Sequence, residues 1–267
     1  MRTLFDIYLQ QFKTTLASQL QYRAALLIWT IGHVLEPVIY LVVWSTVAQS
    51  SGGRVGGYVT GDFAAYFITL MLVNHATFSW HMWEYDYRVR QGTLSFALLR
   101  PVHPIHADIA DNVSFKLITF AVMLPTAAGL AMLFRPTAHL PPWALAAFVP
   151  ALLLAFAVRF LVEWTLALAA FWTTRVSALN QMYYVAALFL SGQIAPLELF
   201  PLPIQVVATL LPFRWMIGFP VELVLGRLTP AQALMGFAAQ AVWLAISLAS
   251  VKIVWRAGVR LYSAVGA

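Results

Sequence analysis

Hydrophobic positions in this chain come in long blocks, and the first block is not continuous. Over residues 3–22, TLFDIYLQQFKTTLASQLQY, Phe5, Leu9, Phe12, Leu16 and Leu20 recur at helical spacing, while Asp6, Gln10, Lys13, Thr14 and Gln21 fall elsewhere. The pattern predicts an amphipathic helix over residues 1–23. Because a long apolar run follows at once, the helix is expected to lie along a membrane surface, although a helix packed on a soluble partner has the same periodicity.

Six apolar blocks follow, near residues 24–47, 63–82, 113–134, 143–171, 178–195 and 232–254. Each approaches the roughly 20 helical residues that cross a hydrocarbon core of about 30 Å. Between the fifth and sixth blocks, PLELFPLPIQVVATLLPFRWMIGFP is apolar but interrupted by Pro196, Pro201, Pro203, Pro212 and Pro220, so it cannot be one straight span. Unpaired backbone in lipid costs several kcal/mol per group. Residues 196–231 are therefore expected to fold as short helices that dip into one leaflet and return, forming a lid.

A second interruption, residues 83–112, separates blocks two and three and centres on RQGTLSFALLRPVHP, residues 90–104. Gly92 marks a turn, Leu94, Ala97 and Leu98 share one helical face, and Pro101 ends the helix at or before Arg100. The result is a short amphipathic helix with Arg90 and Arg100 at its ends. Lipid headgroups or a protein partner would suit it equally.

Composition fixes the solvent. With 61% hydrophobic and 10% charged residues, the chain carries more apolar surface than a soluble core of its size could enclose, so an all-α membrane protein, one domain over 1–267, is expected. The net charge of +6 is spread singly, with no basic run to bind nucleic acid. It reports topology instead. One side of the predicted spans collects Arg2, Lys13, Arg23, Arg88, Arg90, Arg100, Lys116, Arg175, Lys252, Arg256 and Arg260; the other has Arg54, Arg135, Arg214 and Arg227; Arg159 falls within a span. Eleven against four puts both termini in the cytoplasm and the chain in the cytoplasmic membrane. Trp29, Trp44, Trp80, Trp83, Trp143, Trp172 and Trp255 fall near proposed span ends, as interfacial indoles do. The mixed segment after Arg2 does not read as a cleaved signal, and the absence of cysteine excludes disulfides and thiolate metal sites.

Gly92-Thr93-Leu94, Leu98-Leu99 and Pro101 resemble the segment that follows the second span in permease subunits of ABC transporters, the type-two exporter family; Ser95 stands where that family usually has glutamate. Ser191-Gly192, Pro196-Leu197, Leu199, Pro201, Leu211-Pro212 and Gly226 resemble its outer segment before the last span. The Tyr22-Arg23 start and the LLRPVHP loop look most like compact permeases that occur as pairs of different subunits beside one ATPase. The resemblance implies a coupling helix formed by residues around Arg90, Gly92, Thr93, Leu94, Leu98, Leu99, Arg100 and Pro101, docking on an ABC ATPase subunit. It also implies a second permease, identical or homologous, and outward transport of an amphipathic or lipid-like substrate. ATP and magnesium would be bound by the ATPase. This chain has no phosphate-binding loop of its own: Lys13, Lys116 and Lys252 each follow a residue other than glycine.

Ionisable groups inside spans cost about 2.5–3.5 kcal/mol on insertion scales and need a reason. His33 and Glu36 share a face just before Pro37, either as a local pair in a kinked helix or as lining of a substrate path. Arg159 and Glu163, four apart, read as an ion pair, or as a pair facing another span, or as lining of the substrate path. Asn74 with His75, and Asn180 with Gln181, read as interhelical hydrogen-bonding groups, Asn74 and His75 alternatively as lining of the same path. His103 and His106 are expected to be solvated. No compact metal-ligand motif exists, even with His75 or His81 added to His33 and Glu36. Two other classes compete with the permease: an ion-coupled secondary transporter, which would commonly show internal repeats, and an intramembrane enzyme, which would need a clustered catalytic motif. Neither feature is found.

Overall fold

A computed structural model describes residues 4–21, 23–173 and 176–262; Arg2, Tyr22 and Arg175, and the side chain of Arg23, lie outside the described set. The first half comprises α1 (Leu4–Gln21), α2 (Arg23–Ser50), a hairpin of β1 (Arg54–Val55) and β2 (Tyr58–Val59), α3 (Thr60–Thr77), α4 (His81–Arg90), α5 (Leu94–Leu98) and α6 (Pro104–Phe134). The second half comprises α7 (Pro142–Ala167) with a terminal 3₁₀ turn (Leu168–Phe171), α8 (Val176–Leu190), a 3₁₀ turn (Leu197–Leu199), α9 (Leu202–Leu210), α10 (Pro212–Met216), α11 (Gly218–Val224) and α12 (Pro230–Leu261).

Four stretches among the described residues are long and apolar enough to cross a membrane: Ile28–Ser50, Pro104–Phe134, Pro142–Phe171 and Pro230–Leu261. The other two expected spans differ. The 63–82 block is not one helix: α3 stops at Thr77, Phe78 leaves it with ψ of 143°, and α4 restarts at His81. The 178–195 block ends at Leu190, so α8 has 15 residues, about 22 Å of helix. Nor is 83–112 a loop throughout. α4 occupies its start, and α6 begins at Pro104 rather than 113.

Proline explains several of these boundaries, because its missing N–H and fixed φ suit the first helical turn. Pro104, Pro142, Pro212 and Pro230 open α6, α7, α10 and α12. His103 Nδ1 accepts from the Ile105 amide at the start of α6, and Thr229 and Gln232 form a capping box at α12. With 31 residues, α6 is about 46 Å long, more than a bilayer core needs.

α3 occupies the centre. Phe63, Ala64, Tyr66, Phe67, Leu70, Met71 and Val73 are buried, packed by Leu41 and Ala48 of α2, Met123 of α6, Val158 of α7 and Val221 of α11. This position accounts for its composition: a helix carrying Asp62, Asn74 and His75 is stable in a membrane only where protein supplies partners.

Helix α1, α5, the start of α6 and Tyr262 after α12 share one face, the terminal face. Tyr8 Oη lies 3.2 Å from His106 Nδ1, Thr15 donates to Asp111 at 2.7 Å, and the Ser95 and Tyr262 hydroxyls are 2.9 Å apart. The hairpin, the 135–141 connection and residues 191–229 form the opposite, distal face, where Tyr58 donates to Glu198 and Thr137 to Asp62.

Candidate functional site

The 90–101 segment forms a knuckle on the terminal face. Gly92 has φ of +68°, a conformation that side chains rarely adopt, and lets the chain turn out of α4. The five residues of α5 then seat Leu94, fully buried, among Tyr85, Trp164 and Phe160, with Ala97 and Leu98 packed on the same cluster. The apolar stripe expected to meet a partner thus faces inward. The side chains that project are Phe96, 69% exposed, and Leu99, 84% exposed, with Thr93, Arg100 and Pro101 also exposed. Arg90 is held by Asp86 at 2.5 Å. A cavity of about 1020 Å³ opens beside the knuckle, between α1, α4, α5 and the start of α6.

Beneath the knuckle lies a charge network that sequence reading missed. Arg88 donates to Asp108 at 2.7 Å and to Glu84 at 2.9 Å, and Tyr85 and Trp164 also donate to Asp108. Burial disfavours the Arg88 charge, but the two carboxylates outweigh it and raise its pKa above the ordinary guanidinium value. Burial raises the Tyr85 phenol well above its ordinary value, so it stays a donor. The expected solvation of His103 and His106 does not hold. His103 is half-buried against Trp255, with ring centroids 4.5 Å apart, and burial lowers its pKa, while His106 meets Tyr8.

At mid-depth Arg159 organises the break between α3 and α4. It donates to Glu163 at 2.8 Å, to the Asn74 side chain at 2.7 Å and to Thr77 at 2.9 Å, and Tyr183 also donates to Glu163. Asn112 donates to the Phe78 carbonyl at 3.4 Å and Asn180 to that of Met82 at 2.8 Å. Asn112 of α6 thus satisfies backbone that the interruption frees, and Asn180 of α8 ties onto the first turn of α4. Gln181 is exposed. His75 bonds Thr119 at 2.7 Å. Lys116, counted on the cytoplasmic side from sequence, is buried on α6, bonded to Asn112 and 4.1 Å from the Phe156 ring centre.

His33 and Glu36 turn to different neighbours. The His33 ring packs edge-on to His75 and Phe78, whereas Glu36 accepts from Tyr184 of α8 at 3.2 Å on an outward-facing surface. Among the described residues no group of three His, Asp or Glu side chains could hold a metal ion.

The outer segment folds as short helices, as the prolines predict, with Pro196 and Pro201 preceding the 3₁₀ turn and α9. Ser191 is buried where α8 ends, and Gly192, with φ of +87°, turns the chain so that its carbonyl accepts from Tyr66 at 2.9 Å. A Cβ there would stand 2.5 Å from that hydroxyl. Arg214 pairs with buried Glu222 at 2.8 Å, and Arg227 sits 3.6 Å over the Tyr58 ring and 3.5 Å from Asp62. Burial, followed by the Glu198 charge, raises the Tyr58 pKa.

A family model described as ABC-2 family transporter protein matches residues 34–266, which takes in the knuckle, the broken α3–α4 unit and the outer segment. The chain belongs to the ABC-2 transporter family. No curated protein matches it. This ABC-2 permease is a multi-pass membrane subunit of an ABC transporter, and the family's membrane subunits work with a separate ABC ATPase rather than a site of their own. Helix α1 lies outside the matched region of the permease.

Proposed function

We propose that the permease is one half of the translocation path of an ATP-driven exporter, moved by an ATPase that docks on the 90–101 knuckle. On this reading the terminal face is cytoplasmic, α1 lies in the lipid interface of the cytoplasmic membrane, and six helices cross it, with α3 and α8 as the second and fifth spans. The observation that carries it is the division of labour on α5: Leu94 is sunk in the protein while Phe96 and Leu99 stand out, as a small protruding anchor requires. ATP and magnesium belong to the ATPase.

A second permease, identical or homologous, packs against the α2 and α8 surface. Support comes from Glu36 and Tyr184, whose polar pair lies among exposed Leu35, Ile39, Met182 and Val185. An ionisable group left facing hydrocarbon costs about 2.5–3.5 kcal/mol, which a partner surface or a path between halves relieves. Such a path, apolar with sparse polar groups, suits an amphipathic or lipid-like substrate; outward direction follows from the family resemblance.

The test is purification of the tagged permease in mild detergent with identification of the proteins that stay bound. An ATPase and a second permease are the expected result, with the ATPase alone released by Leu99→Asp and neither released by a surface change on the distal face. Retention of the ATPase by Leu99→Asp together with Phe96→Asp rejects the knuckle as its dock.

A further inference from the structure

We propose that Asp108 is the positioning residue that ties the α4–α5 knuckle to α6 and α7, so that displacement of the knuckle carries the membrane-crossing helices with it. This rests on the reading of the knuckle as the ATPase contact.

Asp108 is 2% exposed, one turn into α6. Its Oδ1 accepts from Arg88 at 2.7 Å, and its Oδ2 from Tyr85 at 3.2 Å and from Trp164 Nε1 at 2.9 Å. His81 Nε2 lies 3.7 Å from Oδ1. Donors from α4 and α7 therefore converge on one carboxylate of α6. Charge-assisted bonds of this kind are roughly twice as strong as neutral ones, and a buried charge stripped of its partner is strongly disfavoured, so the three helices resist separation here.

The network is placed to receive a push. Leu94 shares a packed cluster with Tyr85 and Trp164, two of the three donors, and Thr93 donates to the Arg88 carbonyl at 3.3 Å. Beyond Asp108, the Trp164 ring packs 5.3 Å from that of Trp255 on α12. Packed side chains and a buried network thus run without a gap from α5 to three long helices.

The chain contains no cysteine, so single cysteines replacing Leu99 on the knuckle and Leu140, 46% exposed before α7 on the distal face, report the two ends. In the permease–ATPase complex in nanodiscs, the rate of labelling by a polar maleimide is compared without nucleotide and with ATP plus vanadate. In the parent, both positions change by about fivefold or more, the lower range of site-to-site coupling. Tyr85→Phe removes only one hydroxyl donor to Asp108, and Asp108→Asn removes the charge. Both keep the change at 99 and reduce that at 140 to under about twofold, and Asp108→Glu recovers part of it. A change at 99 alone in the parent, or a full response at 140 in Tyr85→Phe, overturns the inference. If Asp108→Asn does not accumulate, Tyr85→Phe decides by itself. A parent that responds at neither position, or binds no ATPase, removes the knuckle reading and this inference with it.

Discussion

Arg159 and Asn74 are joined twice: one guanidinium nitrogen stands 2.7 Å from the Asn74 side-chain oxygen and 3.4 Å from its backbone carbonyl. The Asn74 carbonyl already accepts from the Phe78 N–H at 2.8 Å, so the guanidinium adds a second, charge-assisted donor at the end of α3. Glu163 compensates that cation, so Arg159 does not stand as a lone buried charge.

Removal of either charge should therefore be costly. Arg159→Met leaves Glu163 buried without its cation, with an expected loss of about 3–5 kcal/mol. In detergent melting curves, Arg159→Met combined with Glu163→Leu should lose less than the two single changes added together. Strict additivity would show that the pair is not an energetic unit.

The knuckle separates anchoring from contact. Leu94→Ala should destabilise the protein by about 2–5 kcal/mol, because a fully buried leucine leaves a cavity. Leu99→Asp, at an exposed position, should leave melting within about 0.5 kcal/mol of the parent while abolishing ATPase binding. Leu98→Asp should show both defects, since Leu98 packs on the buried cluster. Unchanged ATPase binding across the three variants would remove α5 from the interface.

Acidification should loosen the terminal face. Burial, aided by His106, holds the folded His103 pKa below the ordinary imidazole value of 6.5, so the unfolded chain binds the proton first. The stability that His103 contributes is complete above about pH 6.5 and declines as pH falls below it. Protonation also removes the lone pair on Nδ1 that caps α6 through Ile105. Between about pH 7.5 and 5.5, His103→Gln should lose less melting temperature than the parent does. Equal losses would assign the pH dependence to other groups.

Glu36 and Tyr184 should act together. If their surface lines the path, Glu36→Gln and Tyr184→Phe each alter substrate-stimulated ATPase activity, and the double variant changes it no further than the stronger single one. Stimulation unchanged in both single variants makes the pair structural.

Some of this was visible in the one-dimensional pattern. The stripe from Phe5 to Leu20 specified α1, the prolines from Pro196 to Pro220 specified a broken outer segment, and Gly92 with Pro101 bracketed α5. The four-residue spacing of Arg159 and Glu163 specified their pair. Asp108 was passed over because it lay in a stretch read as loop; the available signal was that a turn at 91–103 brings the end of α4 back beside the start of α6.

The sequence by itself determined α1, the limits of α5 and the breaks of the outer segment, since periodicity, proline and glycine act on the few residues around them, and it determined that the solvent is a bilayer, since composition is a sum over the chain. Tertiary structure alone decided which way the α5 stripe points, that α3 ends at Thr77 inside the bundle, and that Lys116 is buried. Each of these depends on contacts between distant residues, such as the 85 positions between Asn74 and Arg159, and local pattern does not encode which distant group will arrive to satisfy a freed carbonyl or cover an apolar face.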